Sequence, residues 1–298
     1  MAFRLKRSES LQQAVRRIAR EQWDAALRDI EESGENPESA VHETRKRCKK
    51  VRGLLQLVRP GFEGAYRREN AAARDIARRL SLVRDIAALQ ECAAGLAESV
   101  ADDEEKRALA ALKAILDARA AEAADPDEQR RRLAEAREAI LDARERAAAW
   151  TLESDGPEVV LAGFRKLYAQ ARAAMKSARA QTDAERLHEW RKRAKYHWHH
   201  LRLLRRLWLP VVEREAEQAN ELSERLGGAR DLERLEAALE HEGGGLDREC
   251  LEAAQGCIRS RRDERLRQSW RQGARLFAEK PKTRTRRMAA YWKAWQAL

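Results

Sequence analysis

Residues 41–52, VHETRKRCKKVR, crowd histidine, arginine and lysine into one short stretch. On a helix turning about 100° per residue, His42, Arg45, Lys46, Lys49 and Arg52 share one side and span a rise of about 15 Å. Val41, Thr44, Cys48, Val51, Leu55 and Val58 fall on the other side, where a core-facing stripe belongs. Residues 187–206, LHEWRKRAKYHWHHLRLLRR, repeat the plan. Here His188, Arg191, Lys192, Lys195, His199, Arg202 and Arg206 line up, while Leu187, Trp190, Ala194, Leu201 and Leu204 turn away.

These side chains suit oxyanions. Arginine offers a planar fork to phosphate oxygens, lysine a compact mobile charge, and histidine one or two donors according to its protonation. A solvated helix face normally intersperses carboxylates at i+4, because like charges there cost about 0.2–0.5 kcal/mol per pair. Glu43 and Glu189 fall off the stripes by spacing, which leaves the cations uncompensated within their own helices. Either another helix supplies acids or an external anion does. Charge reversal at Lys49 and Lys195 separates the two, since internally paired cations would lose stability as well as binding. Crowded cations also lower the pKa of His42 and His188 in the free state, so binding should strengthen as pH falls.

A repeat carries both stripes. H-E-x-R-K-R-x-K recurs at an offset of 146, and LSLVRD (80–85) lies over LGGARD (226–231) at the same offset. Two homologous halves are expected, about 1–150 and 151–298, packed around a pseudo-two-fold axis in a single domain. Breakers at 32–37, 59–64, 125–126, 154–157, 209–210, 227–228, 243–245 and 280–281 divide the chain. The stretches between them have helical periodicity, with start signals at Ser8 and at Asp155–Pro157. The expectation is an all-α protein of ten or more helices, arranged as two pseudo-symmetric helical-bundle halves. Composition agrees: alanine, leucine, arginine and glutamate dominate, and β-branched residues are sparse.

The 298 residues carry 61 basic and 50 acidic side chains, a net +11 that favours polyanionic partners without naming one. Cys48, Cys92, Cys250 and Cys257 form no CxxC or disulfide framework, and no apolar run spans a membrane. A soluble protein of a reducing cytoplasm is expected, with no membrane partner. His197 and His200 are spaced for a shared helix face, but flanking cations repel a divalent metal, so neither a metal nor a cofactor is expected. Nothing reads as a Walker loop, GxSxG or HExxH, so catalysis is not expected either. The tryptophans read as core anchors, and the stripes read as lacking the aromatic platforms on which single-stranded nucleic acids stack. The basic run 280–287 reads as a solvated connector.

At V-H-E-x-R-K-R-x-K-K-x-R (41–52), L-H-E-W-R-K-R-A-K-Y-H-W (187–198) and the pairs Arg84–Asp85 and Arg230–Asp231, the sequence resembles the CHAD family, the conserved histidine α-helical domains. FRLKRSES near the start, FRKLYAQARAAM (164–175) and YWKAW (291–295) extend the likeness over nearly the whole chain. The resemblance implies two four-helix-bundle-like halves around a basic cavity that binds inorganic polyphosphate. Some members sit on polyphosphate granules. Carried over by position, the ligands are His42, Arg45, Lys46, Lys49 and Arg52, with His188, Arg191, Lys192 and Lys195. Arg79, Arg84, Arg225 and Arg230 form a second set, while Asp85 and Asp231 orient neighbouring cations or cap helices. Trp198 replaces Arg52 in the second copy, a loss for which Arg202 or His199 is placed to compensate. No Glu-x-Glu-x-Lys motif of a CYTH domain precedes residue 41, so a stand-alone member is expected. The expected function is non-enzymatic polyphosphate binding, for granule targeting or assembly with polyphosphate-metabolising enzymes. An RNA- or DNA-binding module and a scaffold for an acidic protein are the alternatives.

Overall fold

The computed structural model describes residues 3–34, 37–80, 84–123, 125–242 and 248–297. Among them the chain is all-α, with eleven helices and no strand. In order these are α1 (Leu11–Glu31), α2 (Pro37–Val58), α3 (Glu63–Arg79), α4 (Arg84–Ser99), α5 (Asp103–Ala123), α6 (Pro126–Ala148), α7 (Pro157–Ala180), α8 (Ala184–Leu204), α9 (Leu209–Glu242), α10 (Arg248–Leu276) and α11 (Pro281–Ala297). Among the described residues no helix is long and apolar enough to cross a membrane.

Local chemistry sets the helix starts. Ser10, not Ser8, caps α1: its Oγ accepts from the Gln13 amide at 3.2 Å, and Gln13 Oε1 accepts from the Ser10 amide at 3.0 Å. This reciprocal pair satisfies two donors at the helix start, which Ser8 does not do. Asp125 and Asp183 cap α6 and α8, and Pro157 opens α7 behind Gly156 as its type requires. One expected break does not occur. The chain divides at Leu209–Pro210, which begins α9 where proline's missing N–H has no partner to lose, but α9 runs straight through Gly227–Gly228. The glycine run 243–245, residues 81–83 and the side chains of Arg84 and Asp85 lie outside the described residues.

Both basic helices run into a 3-10 turn, α2 into Arg59–Gly61 and α8 into Arg205–Leu207. Boundaries of α1 and α7, and of α2 and α8, follow the 146-residue offset closely. At α9 they depart from it, because one helix of 34 residues occupies the span of both α3 and α4.

Three cores hold the helices. The largest joins α1, α2, α3 and α6 to the start of α7, the end of α8 and Met288 of α11. A second packs Tyr168, Trp190, Ala194, Leu222, Leu226 and Phe277 between α7, α8, α9 and the end of α10. In the third, Leu89, Leu96, Leu109 and Leu112 of α4 and α5 meet Leu232, Leu235, Leu239 and Ile258 of α9 and α10. Residues from both sides of position 150 are thus tied into common cores.

Glycines let α2 approach its neighbours. A Cβ on Gly53 would lie 2.8 Å from His199 Cβ of α8, and one on Gly163 of α7 would collide with the backbone carbonyl of Leu57. Backbone on both sides leaves no flexible group to yield at Gly163. Gly163→Ala is therefore expected to cost about 1–3 kcal/mol of stability by overpacking, read by urea denaturation. An unchanged midpoint would show that the α2–α7 approach is looser than this.

A basic cavity between the two charged helices

Close packing of α2 on α8 at Gly53 orients the charged faces. His200 Nε2 lies 3.1 Å from the Gly53 carbonyl, while Val51, Leu54 and Leu55 are buried on the core side. With those faces committed inward, Lys49 and Lys195 are brought to the wall of one cavity of about 850 Å³. Its wall is completed by α4, α9 and α10. Among the expected ligands, His42, Arg45, Lys46 and Lys49 from α2, Arg191, Lys195 and Arg202 from α8, and Arg230 from α9 line it. The two stripes therefore meet in space.

Four further cations line the same cavity: Lys50 of α2, Arg234 of α9, and Arg261 and Arg265 of α10. The total is eleven lysines and arginines against four carboxylates, Glu43, Glu91, Glu224 and Asp231. Lys50 was within reach of sequence reasoning, since it neighbours Lys49. The α10 arginines lie outside both motifs, and only tertiary packing brings them here.

Internal pairing is real but partial. Glu43 and Glu189 do reach the stripes, contrary to the expectation: Glu43 Oε1 lies 2.5 Å from Lys46 Nζ, and Glu189 pairs with Lys192 and with Arg193. Residues three and four apart are neighbours on a helix surface, so these carboxylates compensate cations one turn on. Lys195 is bridged by Glu224 of α9 at 2.7 Å. Lys49 sits differently. Burial first, then the charges of Arg45, Arg191 and Lys195, push its ammonium down to about 8, with Glu224 opposing only weakly. Burial, followed by Arg47 and Arg202, pushes Lys50 down to about 8 as well. Both shifts have the direction that burial among like charges imposes on a lysine.

The remaining predicted residues lie elsewhere. Arg52 donates to Asn70 Oδ1 at 3.1 Å and lies over the Tyr196 ring. Lys192 is held by Glu189, Arg225 by Gln272 and Glu221, and Arg79 ends α3 away from the cavity wall. His188 Nδ1 lies 3.0 Å from Arg230 Nη1, so it supports the wall from behind. Burial, then Arg230, Arg191 and Lys192, push its imidazole below the ordinary range, the direction expected from sequence. Arg84 begins α4, and its side chain is outside the described residues.

Trp198 overturns the reading of the stripes as free of aromatics. It lines the cavity with Lys195 Nζ 4.1 Å and Arg202 Cζ 5.0 Å from its ring centroid. Its place opposite Arg52 in the repeat was the available signal. The other histidines of α8, His197, His199 and His200, are core residues. His197 packs among Phe164, Tyr168 and Phe277, and burial pushes it down to about 3. His199, expected on the cationic line, is buried with its pKa driven well below 6.5, first by burial and then by Lys195 and Arg202. It contributes a neutral ring at the wall, not a charge.

The lysine shifts have a definite sign. Below about 8, Lys49 and Lys50 are charged in folded and unfolded chains alike, and the cost of burying them is fully present. Between about 8 and 10.5 the unfolded chain holds more protons, so stability rises with pH across that window. A bound polyanion restores the ammonium, so binding takes up protons and weakens as pH climbs through the same window. Calorimetry near about pH 8.5, in buffers of different ionisation enthalpy, should read proton uptake. No proton exchange would mean that these lysines stay outside the bound anion's field.

An all-helical protein with a cation-lined cavity between its helices is the class that fold and site define. The chain belongs to the CHAD-domain family, whose model matches residues 9–240. Among solved structures it is similar to PptA from Streptomyces chartreusis, with a TM-score of 0.58 and 16% sequence identity over 90% of this chain and 100% of that one. That likeness concerns the fold. No curated protein matches the chain in sequence.

Proposed function

We propose that this chain binds inorganic polyphosphate in the cavity between α2, α8, α9 and α10, and does not transform it. One observation carries the reading: eleven cations and four carboxylates line a single cavity of about 850 Å³. A linear polyanion satisfies such a wall through many phosphoryl contacts, each releasing counterions. Polyphosphate rather than another polyanion is supported by CHAD-family membership and the ligand its members are known for.

Two wall residues of reactive type are shifted away from catalysis. Burial pushes the Cys92 thiol at the wall up to about 11, opposite to the shift of a reactive thiolate. His199 is a poor base for the reason given above. The internal repeat belongs to the same proposal: two related basic helices supply the two sides of the groove. Docking on polyphosphate granules, or assembly with polyphosphate-metabolising enzymes, is the role such a binder fits.

The nucleic-acid alternative gains Trp198 as an aromatic wall residue, but Lys195 and Arg202 already lie over that ring. Those cations compete with any base for the ring. Competition decides between them. Labelled long-chain polyphosphate, at near-physiological salt, is challenged with single-stranded RNA, duplex DNA and short phosphates, using folded Lys49→Met/Lys50→Met protein as control. Preference for polyphosphate that the double variant loses supports the reading. Equal competition by RNA at equal phosphate concentration would replace it with a general basic surface.

A further inference from the structure

We infer that the Gly227–Gly228 step of α9 is the anchoring subsite of the cavity, where the guanidiniums of Arg191 and Arg265 clamp one phosphoryl group of the bound chain. The inference rests on the polyphosphate reading and names the place where that chain is gripped.

Two consecutive glycines inside a helix weaken it by about 2 kcal/mol relative to alanines. They are usually accepted where the backbone needs a positive φ, but among the described residues only Gly34 has one. Gly227 and Gly228 are ordinary helical residues well inside α9. What a side chain there would meet, and displace, is the far end of two arginines from other helices. A Cβ on Gly227 would lie 3.0 Å from Arg191 Nε and 3.2 Å from its Nη2. One on Gly228 would clash with Arg265 Nη1 and lie 2.9 Å from its Cζ. Arg191 comes from α8 and Arg265 from α10, so the bare step of α9 is where charge from two other helices approaches adjacent backbone positions.

The arginines are not there to satisfy one another. The Nε atoms of both are buried and find no hydrogen-bond partner among the described residues. A buried donor left unpaired costs about 1–3 kcal/mol, more on a charged group, so the arrangement calls for an acceptor. Gly228, Arg191, Arg230, Arg265 and Asp231 all line the cavity. Asp231 feels the charges of Arg191, Arg234, Arg230 and Arg265, one carboxylate among four guanidiniums. Asp231 and Glu224 act on Arg191, but neither hydrogen-bonds its buried Nε. A phosphoryl group, with several oxygens and a full charge, fits two guanidinium forks better than single carboxylates do. The lysines toward α2 then follow the rest of the chain as point charges.

The decisive variant changes no charge. Gly228→Ala displaces the far end of Arg265 while adding helix propensity, so melting temperature is expected to stay or rise. Affinity for long-chain polyphosphate at fixed salt is expected to fall about tenfold or more, with a shallower salt slope because fewer phosphoryl oxygens are held. Affinity within about twofold of the parent, in protein that melts normally, would overturn the subsite. Should Gly228→Ala melt early, Arg265→Lys keeps the charge and removes the fork, and the same drop in affinity is expected. Arg259→Lys, exposed and paired with Glu236 outside the cavity, serves as the neutral control. Parent affinity in Arg265→Lys would likewise overturn the proposal. If the parent protein binds no polyphosphate, both the function and the subsite fall. If it binds while Gly228→Ala and Arg265→Lys bind equally well, only the subsite does.

Discussion

Raising monovalent salt from roughly 50 to 200 mM is expected to weaken polyphosphate binding by about 300- to 2,000-fold. This range follows from about six to eight engaged phosphates and a slope of about −0.7 for each, the value for flexible single-stranded polyanions. Eleven cations line the cavity, but Lys46 and Lys195 are already in ion pairs with Glu43 and Glu224, so fewer than all are free to engage. Fluorescence titration of labelled polyphosphate across that range reads the slope directly. A slope shallower than about −2 would mean that two or three surface phosphates are touched and that the cavity is not occupied.

Lys49→Met should make the protein more stable and a weaker binder at once. In the free protein Lys49 is surrounded by Arg45, Arg191 and Lys195, and its ammonium is depressed from 10.5 to about 8. That depression corresponds to at most roughly 3 kcal/mol of repulsion and lost hydration, and screening at the cavity mouth reduces the expected gain to about 1–2 kcal/mol. Methionine keeps the apolar stem that packs along α2 and removes only the charge. A charge-assisted hydrogen bond to a phosphoryl oxygen contributes about 1.5–3 kcal/mol, so affinity should fall about 10- to 100-fold. Urea denaturation and a binding titration on the same preparation test both halves. A loss of stability would show that an internal carboxylate pairs Lys49, and the anion-site interpretation of this residue would fail. Lys195 is less informative, because reversing it sets a carboxylate against Glu224.

Trade-offs of this sign are what a preorganised anion site entails. Helix packing at Gly53 and Gly163 holds like charges close before any ligand arrives, so the repulsion is met by the apolar cores and not by the ligand. Binding then relieves repulsion already present, and ligand-linked stabilisation should accompany it.

Helical periodicity alone determined much of this protein. The apolar faces of 41–58 and 187–204 assign which side of each helix is buried, and burial of Val51, Leu55, Trp190, Ala194 and Leu201 follows from it. The cations opposite were legible for the same reason, because a helix that buries one face must turn the other outward. Capping chemistry was legible to within two residues, as Ser10 in place of Ser8 illustrates. What the spacing of residues does not contain is distance between helices. Tertiary structure alone decided that Lys49 and Lys195 face one cavity while Arg52 and Lys192 do not, because a rotation of a few tens of degrees about a helix axis moves a side chain from wall to rim. It also decided the membership of Arg261 and Arg265, which no local motif marks. Gly227–Gly228 shows the limit most clearly: in sequence the pair signals a break, yet the helix continues, because the absent side chains leave room for arginines that arrive from elsewhere in the chain.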